Sequence, residues 1–358
     1  MQFIYAKFIP LKQHHSLVYA PPLAGIILIV YCCILTFAYA NETDLNHKII
    51  IAHRGASGYL PEHTLASKTL AYEMGSDYLE QDVVLSKDSV PIVLHDIHLD
   101  AVTNVRDVYS DRARKDGKFY AIDFDLHELQ QLIVTGRKSR AATYSYSDRF
   151  PKNSHQFRIT TLEEEIQMIQ GLNKSTGGVV GLYTEIKSPA WHKTQGYDLT
   201  TIVLDTLGQY GYRNAADNIF IQCFDPAELK RIRLELNSKL KLVQLIGENA
   251  WNEADTDYNV MRTPEGLKDI ARYANGIGPS IDHILSSRFG KITVTELVNE
   301  AHNLNLLVHP YTLRKDSLPN FVSGFNELIE LLFEQAGVDG VFTDFPDLAV
   351  QFKKQSNL

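Results

Sequence analysis

Seven side chains in this sequence have the types and spacings to bind a divalent cation and a phosphate ester. Glu80 and Asp82 stand two residues apart in Tyr78-Leu79-Glu80-Gln81-Asp82-Val83-Val84, a strand-like run. Side chains two apart on a strand share a face. Two carboxylates on one face repel each other unless a cation sits between them, and hard oxygen ligands select Mg2+ or Ca2+ over softer metals. Glu185 and Lys187 repeat the spacing where the run 179–186 ends, just before Ser188-Pro189. Glu185 is placed to complete the cation cage and Lys187 to lie beside a bound anion. His53 closes the apolar run 48–52 and precedes Arg54-Gly55, and His95 closes the run 90–94 and precedes Asp96. Imidazole titrates near neutral pH, so two histidines flanking a phosphodiester can divide the acid and base roles. Arg54 offers a bidentate fork for phosphate oxygens, and Gly55 and Gly58 allow close backbone approach. Singly, a Glu-x-Asp pair is an ordinary solvated edge and a lone histidine an ordinary core residue. Their joint weight comes from lying at strand ends that a parallel barrel would bring together.

The elements that must position them alternate along the chain. Strands are expected at 48–52, 78–85, 90–94, 179–186, 218–223, 240–246, 276–279, 306–308 and 338–342. Helical patterns fall at 64–74, from Leu162 onward, and at 199–210, 226–236, 264–273, 294–304 and 325–335. Thr161 with Glu164 three residues on is a capping box, and Asp225-Pro226 is an N-cap with proline at the first helical position. Repeated βα units without an antiparallel pattern mean a parallel sheet, and about eight of them fit an α/β fold of the TIM-type (β/α)8 barrel, with a doubly wound sheet as the runner-up. Nine strand candidates compete for eight places. Ser86–Ser89 is too short for a parallel crossover. Either 79–85 and 90–94 form a hairpin-like irregularity, or the run 338–342 closes the barrel and another strand is an accessory. Residues 98–158, rich in Asp, Arg, Lys, Tyr and Ser, read as a loop-rich insertion, not a second core, with one helical piece near 126–133.

The formal net charge is −8, and residues 1–40 carry only Lys7 and Lys12, so the acidic excess lies in the remainder. Nucleic acid and anionic membrane surfaces need a basic face and are not expected partners. The two lysines, the apolar run 23–37 and Ala38-Tyr39-Ala40 form a secretory signal pattern with expected cleavage after Ala40. The alternative is an uncleaved anchor helix. Cleavage leaves residues 41–358 as one catalytic barrel, periplasmic or secreted, without stable insertion in a membrane. It also leaves Cys223 as the only cysteine, so no intramolecular disulfide is available, and its apolar surroundings suit a buried structural thiol. Trp191, Trp251 and Tyr311 are candidates to line a head-group pocket, and His309 a more distant wall. Oligomeric state is not readable from the sequence.

His53-Arg54-Gly55, Pro61-Glu62-His63-Thr64, Glu80-Gln81-Asp82, His95-Asp96, Glu185-Ile186-Lys187 and Thr343-Asp344-Phe345-Pro346 occur in an order that resembles the glycerophosphodiester phosphodiesterase family, in particular its secreted, periplasmic bacterial branch. The resemblance spans roughly residues 48–350. It implies a barrel that hydrolyses small glycerophosphodiesters to glycerol 3-phosphate and an alcohol. It also implies a divalent cation held by Glu80, Asp82 and Glu185, with Ca2+ suggested by the periplasmic branch and Mg2+ as the alternative. His53 and His95 become the acid/base pair, with Arg54 and Lys187 near the phosphate. His63 stands where much of the family has asparagine. Two other readings are a barrel phospholipase acting on intact membrane lipids, and a secreted binding protein with a second role.

Overall fold

The computed structural model describes residues 48–139, 143–150, 157–356 and 358. The expected signal segment, residues 1–40, lies outside the described residues. Eight parallel strands carry the fold: β1 (Ile49–Ala52), β2 (Tyr78–Leu85), β3 (Gly181–Ile186), β4 (Ile219–Cys223), β5 (Lys241–Ile246), β6 (Gly276–Pro279), β7 (Leu307–Val308) and β8 (Gly340–Thr343). They pair in the order β7-β6-β5-β4-β3-β2-β1-β8. The ring closes through β8 and the residues after β7. The Asp339 amide donates to the Val308 carbonyl at 3.0 Å, the Phe342 amide to Pro310 at 3.0 Å and the Leu313 amide to Phe342 at 2.8 Å.

A helix follows every strand: α1 (Leu65–Glu73), α2 (Leu162–Thr176), α3 (Leu199–Gln209), α4 (Pro226–Leu234), α5 (Pro264–Ile270), α6 (Leu297–His302), α7 (Phe325–Glu330) and α8 (Pro346–Ser356). Their starts follow the expected caps. The Thr161 hydroxyl accepts from the Glu164 amide at 3.1 Å while the Glu164 carboxylate accepts from the Thr161 amide at 2.8 Å. Asp225 caps α4 ahead of Pro226. The strands are buried on both faces, which is why they read as continuous apolar runs rather than alternating ones.

Inside the barrel, Ile51, Tyr78, Tyr183, Phe220, Val243 and Phe342 form one buried cluster, with the rings of Tyr183 and Phe220 stacked at 4.9 Å. Two residues further along β1, β2, β3, β4 and β5 come His53, Glu80, Glu185, Gln222 and Leu245. The strand period of two therefore turns an aromatic layer into a layer of functional groups at the carboxyl ends, the face where barrels of this kind carry their sites.

Both halves of the strand conflict resolve. Pro91–Val93 turns back and pairs antiparallel with the end of β2, Val83 facing Val93 and Leu85 facing Pro91, so the short link between them is a hairpin turn. The last run, β8, closes the barrel against β1. Two expectations need correction. The helix expected from Val294 starts at Leu297, because Leu285–Arg288 and Lys291–Val294 form an antiparallel hairpin. Its two-residue loop, Phe289-Gly290, has positive φ at both positions, as a tight hairpin requires. The insertion also has an apolar cluster of its own. Leu99, Val102, Val105, Phe119, Phe124 and Leu129 pack with Val84, Ile92 and Leu94 of the β2 hairpin. Loops rather than long helices hold these residues, so neither the 2-residue nor the 3.6-residue period marks them in the sequence.

Candidate active site

The carboxylates of Glu80, Asp82 and Glu185 each offer an oxygen within 4.8 Å of the others. β2 and β3 bring them together in register, with Asp82 opposite Glu185. All three are buried. Two unit charges at that separation repel by on the order of 3 kcal/mol in a protein-like dielectric. Burial and the neighbouring Asp82 push Glu80 up to about 8, and burial pushes Glu185 well above the ordinary carboxyl range. Burial also works against ionisation of Asp82, but His63, His95 and Arg54 outweigh it and hold this group well below its usual value.

The protein satisfies part of this cluster itself. The Arg54 amide and the Gln222 side-chain amide donate to Glu80 at 2.8 and 2.9 Å. Lys187 lies 2.8 Å from Glu185. The His63 Nε2–H donates to Asp82 Oδ2 at 2.7 Å. Asp82 Oδ1 is buried without any partner. An orphaned carboxylate oxygen inside a set of three carboxylates, all hard oxygen donors, fits a divalent cation of the magnesium or calcium type.

The two histidines are each backed by a carboxylate. The His53 Nδ1–H donates to Asp344 Oδ1 at 2.5 Å, leaving Nε2 to face the cluster, 3.9 Å from Glu80. Burial opposes ionisation of Asp344, but Arg314, His53 and Arg149 overcome it and keep it an acceptor. The His95 Nδ1–H donates in the same way to Asp96 Oδ1 at 2.5 Å, and Arg137 holds Asp96 at 2.7 Å. Such a contact fixes the ring's orientation and tautomer. Burial, then Arg54, lowers His53 to about 4. His95 is also shifted down, by burial, Arg54 and Lys187, although a quarter of its side chain meets solvent. Both rings are therefore neutral at pH 7. Arg54 takes a positive φ of 58° ahead of Gly55 at 88°. A Cβ at Gly55 would come within 2.8 Å of the Ser67 backbone, so this turn admits only glycine.

One cavity of about 200 Å³ collects His53, Arg54, Glu80, Asp82, His95 and Glu185. Lys187 is buried against Glu185 and is not on its wall. Of the three aromatic residues expected around a head group, Trp251 and Tyr311 line this cavity and Trp191 does not. Trp191 stacks on Tyr120 of the insertion at 5.4 Å instead. His309 is also absent from the wall: it is fully buried and bonded to the Tyr183 hydroxyl at 2.8 Å, one layer below. Sequence reasoning did not assign Asp344, Gln222, Arg314 or the hold of His63 on Asp82. The sequence offered one signal among these, the Thr343-Asp344-Phe345-Pro346 motif at a strand end.

Barrel, acidic cluster and paired, carboxylate-backed histidines define the class: a cation-assisted phosphoric diester hydrolase. Residues 53–348 match the model of the Glycerophosphoryl diester phosphodiesterase family, and the chain belongs to that family. The glycerophosphodiester phosphodiesterase of Haemophilus influenzae is 45% identical over 335 residues, covering 88% of this chain and 92% of that protein. The protein of the same name from Treponema pallidum is 39% identical, covering 90% and 97%. The solved structure of an Oleispira antarctica phosphodiesterase in complex with the product sn-glycerol-3-phosphate is similar in fold, with a TM-score of 0.57, 21% identity and coverage of 86% and 97%.

Proposed function

We propose that this hydrolase cleaves small glycerophosphodiesters, such as glycerophosphocholine and glycerophosphoethanolamine, to glycerol 3-phosphate and the free alcohol. The observation that carries the reading is the meeting of His53 and His95 with the three buried carboxylates around one cavity. Glu80, Asp82 and Glu185 would hold the cation. When bound, a divalent cation supplies Lewis acidity to a phosphoryl oxygen and to a glycerol hydroxyl. We assign calcium, with magnesium as the alternative. Calcium tolerates irregular carboxylate cages with about six to eight oxygen ligands, and the periplasmic relatives that the motifs resemble suggest it.

His53 Nε2 faces the carboxylates, so His53 takes the proton from the attacking oxygen. His95, on the same wall and a quarter exposed, takes up a proton from solvent before the step and gives it to the departing alkoxide, while His53 releases its own proton to solvent afterwards. Asp344 and Asp96 stabilise the imidazolium that each ring becomes in turn. Arg54, whose Nε is buried without a hydrogen bond and lies 3.5 Å from Asp82, meets the charge that builds on the phosphoryl oxygens. Lys187 acts on the anion through Glu185, by partly neutralising the carboxylate it touches.

Activity on glycerophosphocholine in solution against activity on phosphatidylcholine vesicles tests the substrate class. We expect rapid release of choline from the soluble diester and none from vesicles. Hydrolysis of the vesicles at a comparable rate would make the enzyme a phospholipase. No described helix is long and apolar enough to cross a membrane.

We also propose that residues 1–40 act as a signal peptide and that the mature enzyme works in the periplasm or outside the cell. Support comes from Lys7 and Lys12, the apolar run 23–37 and Ala38-Tyr39-Ala40. Mass analysis of the exported protein should find an N-terminus at Asn41, and an intact Met1 would refute cleavage.

A further inference from the structure

The residues at the mouth of the site serve two chambers. Beside the cavity described above lies another of about 250 Å³, and His53, Arg54, His95 and Arg314 line both. Glu80, Asp82 and Glu185 belong to the first chamber only, as do Phe224, Trp251 and Tyr311. Ser57, Glu62, Arg137, Tyr146 and Arg149 belong to the second only. A phosphodiester has two arms joined at one phosphorus. The shared histidines and arginines place the phosphorus at the junction. The arm whose hydroxyls suit an oxygen-rich cation site is the glycerol, in the first chamber. The alcohol that leaves must then enter the second.

The charge of that second chamber sets what it will accept. Its wall carries the guanidinium groups of Arg54, Arg137, Arg149 and Arg314 against two carboxylates, Glu62 and Asp344. Both carboxylates are already engaged. Glu62 accepts from Arg54 at 3.0 Å and from Arg137 at 2.7 and 2.9 Å. Asp344 accepts from His53 at 2.5 Å, and from Arg149 and Arg314 at 2.8 Å each. Asp96 and Asp316 hold Arg137 and Arg149 from outside this wall. Arg314 spends only its Nε on Asp344, and among the described residues its two terminal nitrogens have no partner. The Tyr146 hydroxyl is likewise uncommitted among the described residues, with the Arg149 guanidinium 3.6 Å over its ring. A wall of this kind presents guanidinium donors to whatever enters, and guanidinium matches carboxylate and phosphate oxygens.

We infer that the second chamber is the leaving-alcohol subsite and that it selects diesters whose alcohol carries a carboxylate or a second phosphate over those whose alcohol is a cation. The inference rests on the hydrolase reading above and specifies its substrate class. The test is steady-state kcat/KM, at fixed excess cation, on glycerophosphocholine, on glycerophosphoglycerol, and on glycerophosphoglycerol bearing a terminal phosphate monoester. The values should rise in that order. The anionic diester should exceed the choline diester by about tenfold or more, the factor that one favourable charge contact of about 1.4 kcal/mol gives. The ratio should shrink as salt screens the arginines. It should also shrink in Arg149→Gln and Arg314→Gln, while Trp251→Ala, in the other chamber, keeps it. The wild-type profile alone decides if an arginine variant fails to fold. A flat profile, or a preference for choline, overturns the subsite and leaves the hydrolase reading standing. Failure to cleave any of the three overturns both.

Discussion

His53→Ala is expected to lower turnover by about 10²–10⁴-fold, the range spanned by a positioned general acid or base, and His95→Ala should do the same. The structure explains why the fold should survive both changes. Asp344 keeps Arg149 and Arg314 as partners when His53 is removed, each at 2.8 Å. Asp96 keeps Arg137 when His95 is removed. Neither substitution leaves a buried carboxylate unpaired, the costly outcome for a buried ion pair. The measurement is kcat on glycerophosphocholine beside the unfolding temperature of each variant. Turnover close to wild type in either variant would remove that histidine from the chemistry. A large fall in unfolding temperature would mean that lost activity reports lost structure.

Removal of the cation should have an effect of similar size. After chelation and dialysis, activity should fall to background and return with added Ca2+. Glu80→Gln separates binding from catalysis. In the cation-free protein Glu80 is pushed up to about 8 by burial and Asp82, so the three carboxylates strain the site they build. Glutamine removes a carboxyl that must take up a proton to be buried near pH 7, and should therefore raise the unfolding temperature of the cation-free protein. The same change should abolish the rise that added Ca2+ gives the wild type, since a ligand stabilises a fold only by binding it. This readout does not depend on activity. A Ca2+-induced rise that persists in Glu80→Gln would move the cation site elsewhere.

Much of this site was legible in the sequence because strand geometry is legible. Glu80 and Asp82 share a face for the reason any two residues at i and i+2 do, and Glu185 occupies the matching level of the next strand. The capping box at Thr161 and the proline at the start of α4 also announced themselves locally. What the sequence did not show is contact across the barrel. Asp344 reaches His53 from 291 residues away, which no local period encodes. The hold of His63 on Asp82 spans 19 residues and comes from a residue at a positive φ of 58°, an uncommon backbone state that no periodicity signals. Arg137 and Arg149 come from the insertion, where loop-borne apolar residues hide both the small core and the groups it aims at the site. The reversal at Pro91 was visible only as a conflict, a link too short for a crossover, and antiparallel pairing with β2 is the geometry that removes it.

The measurement that bears most directly on the central claim is phosphorus NMR of glycerophosphocholine turning over with Ca2+-loaded enzyme. The diester signal should give way to the monoester signal of glycerol 3-phosphate, with choline released in equal amount, and His53→Ala should convert it about 10²–10⁴-fold more slowly. Formation of phosphocholine and glycerol, or a diester signal unchanged over the same time, would contradict the account.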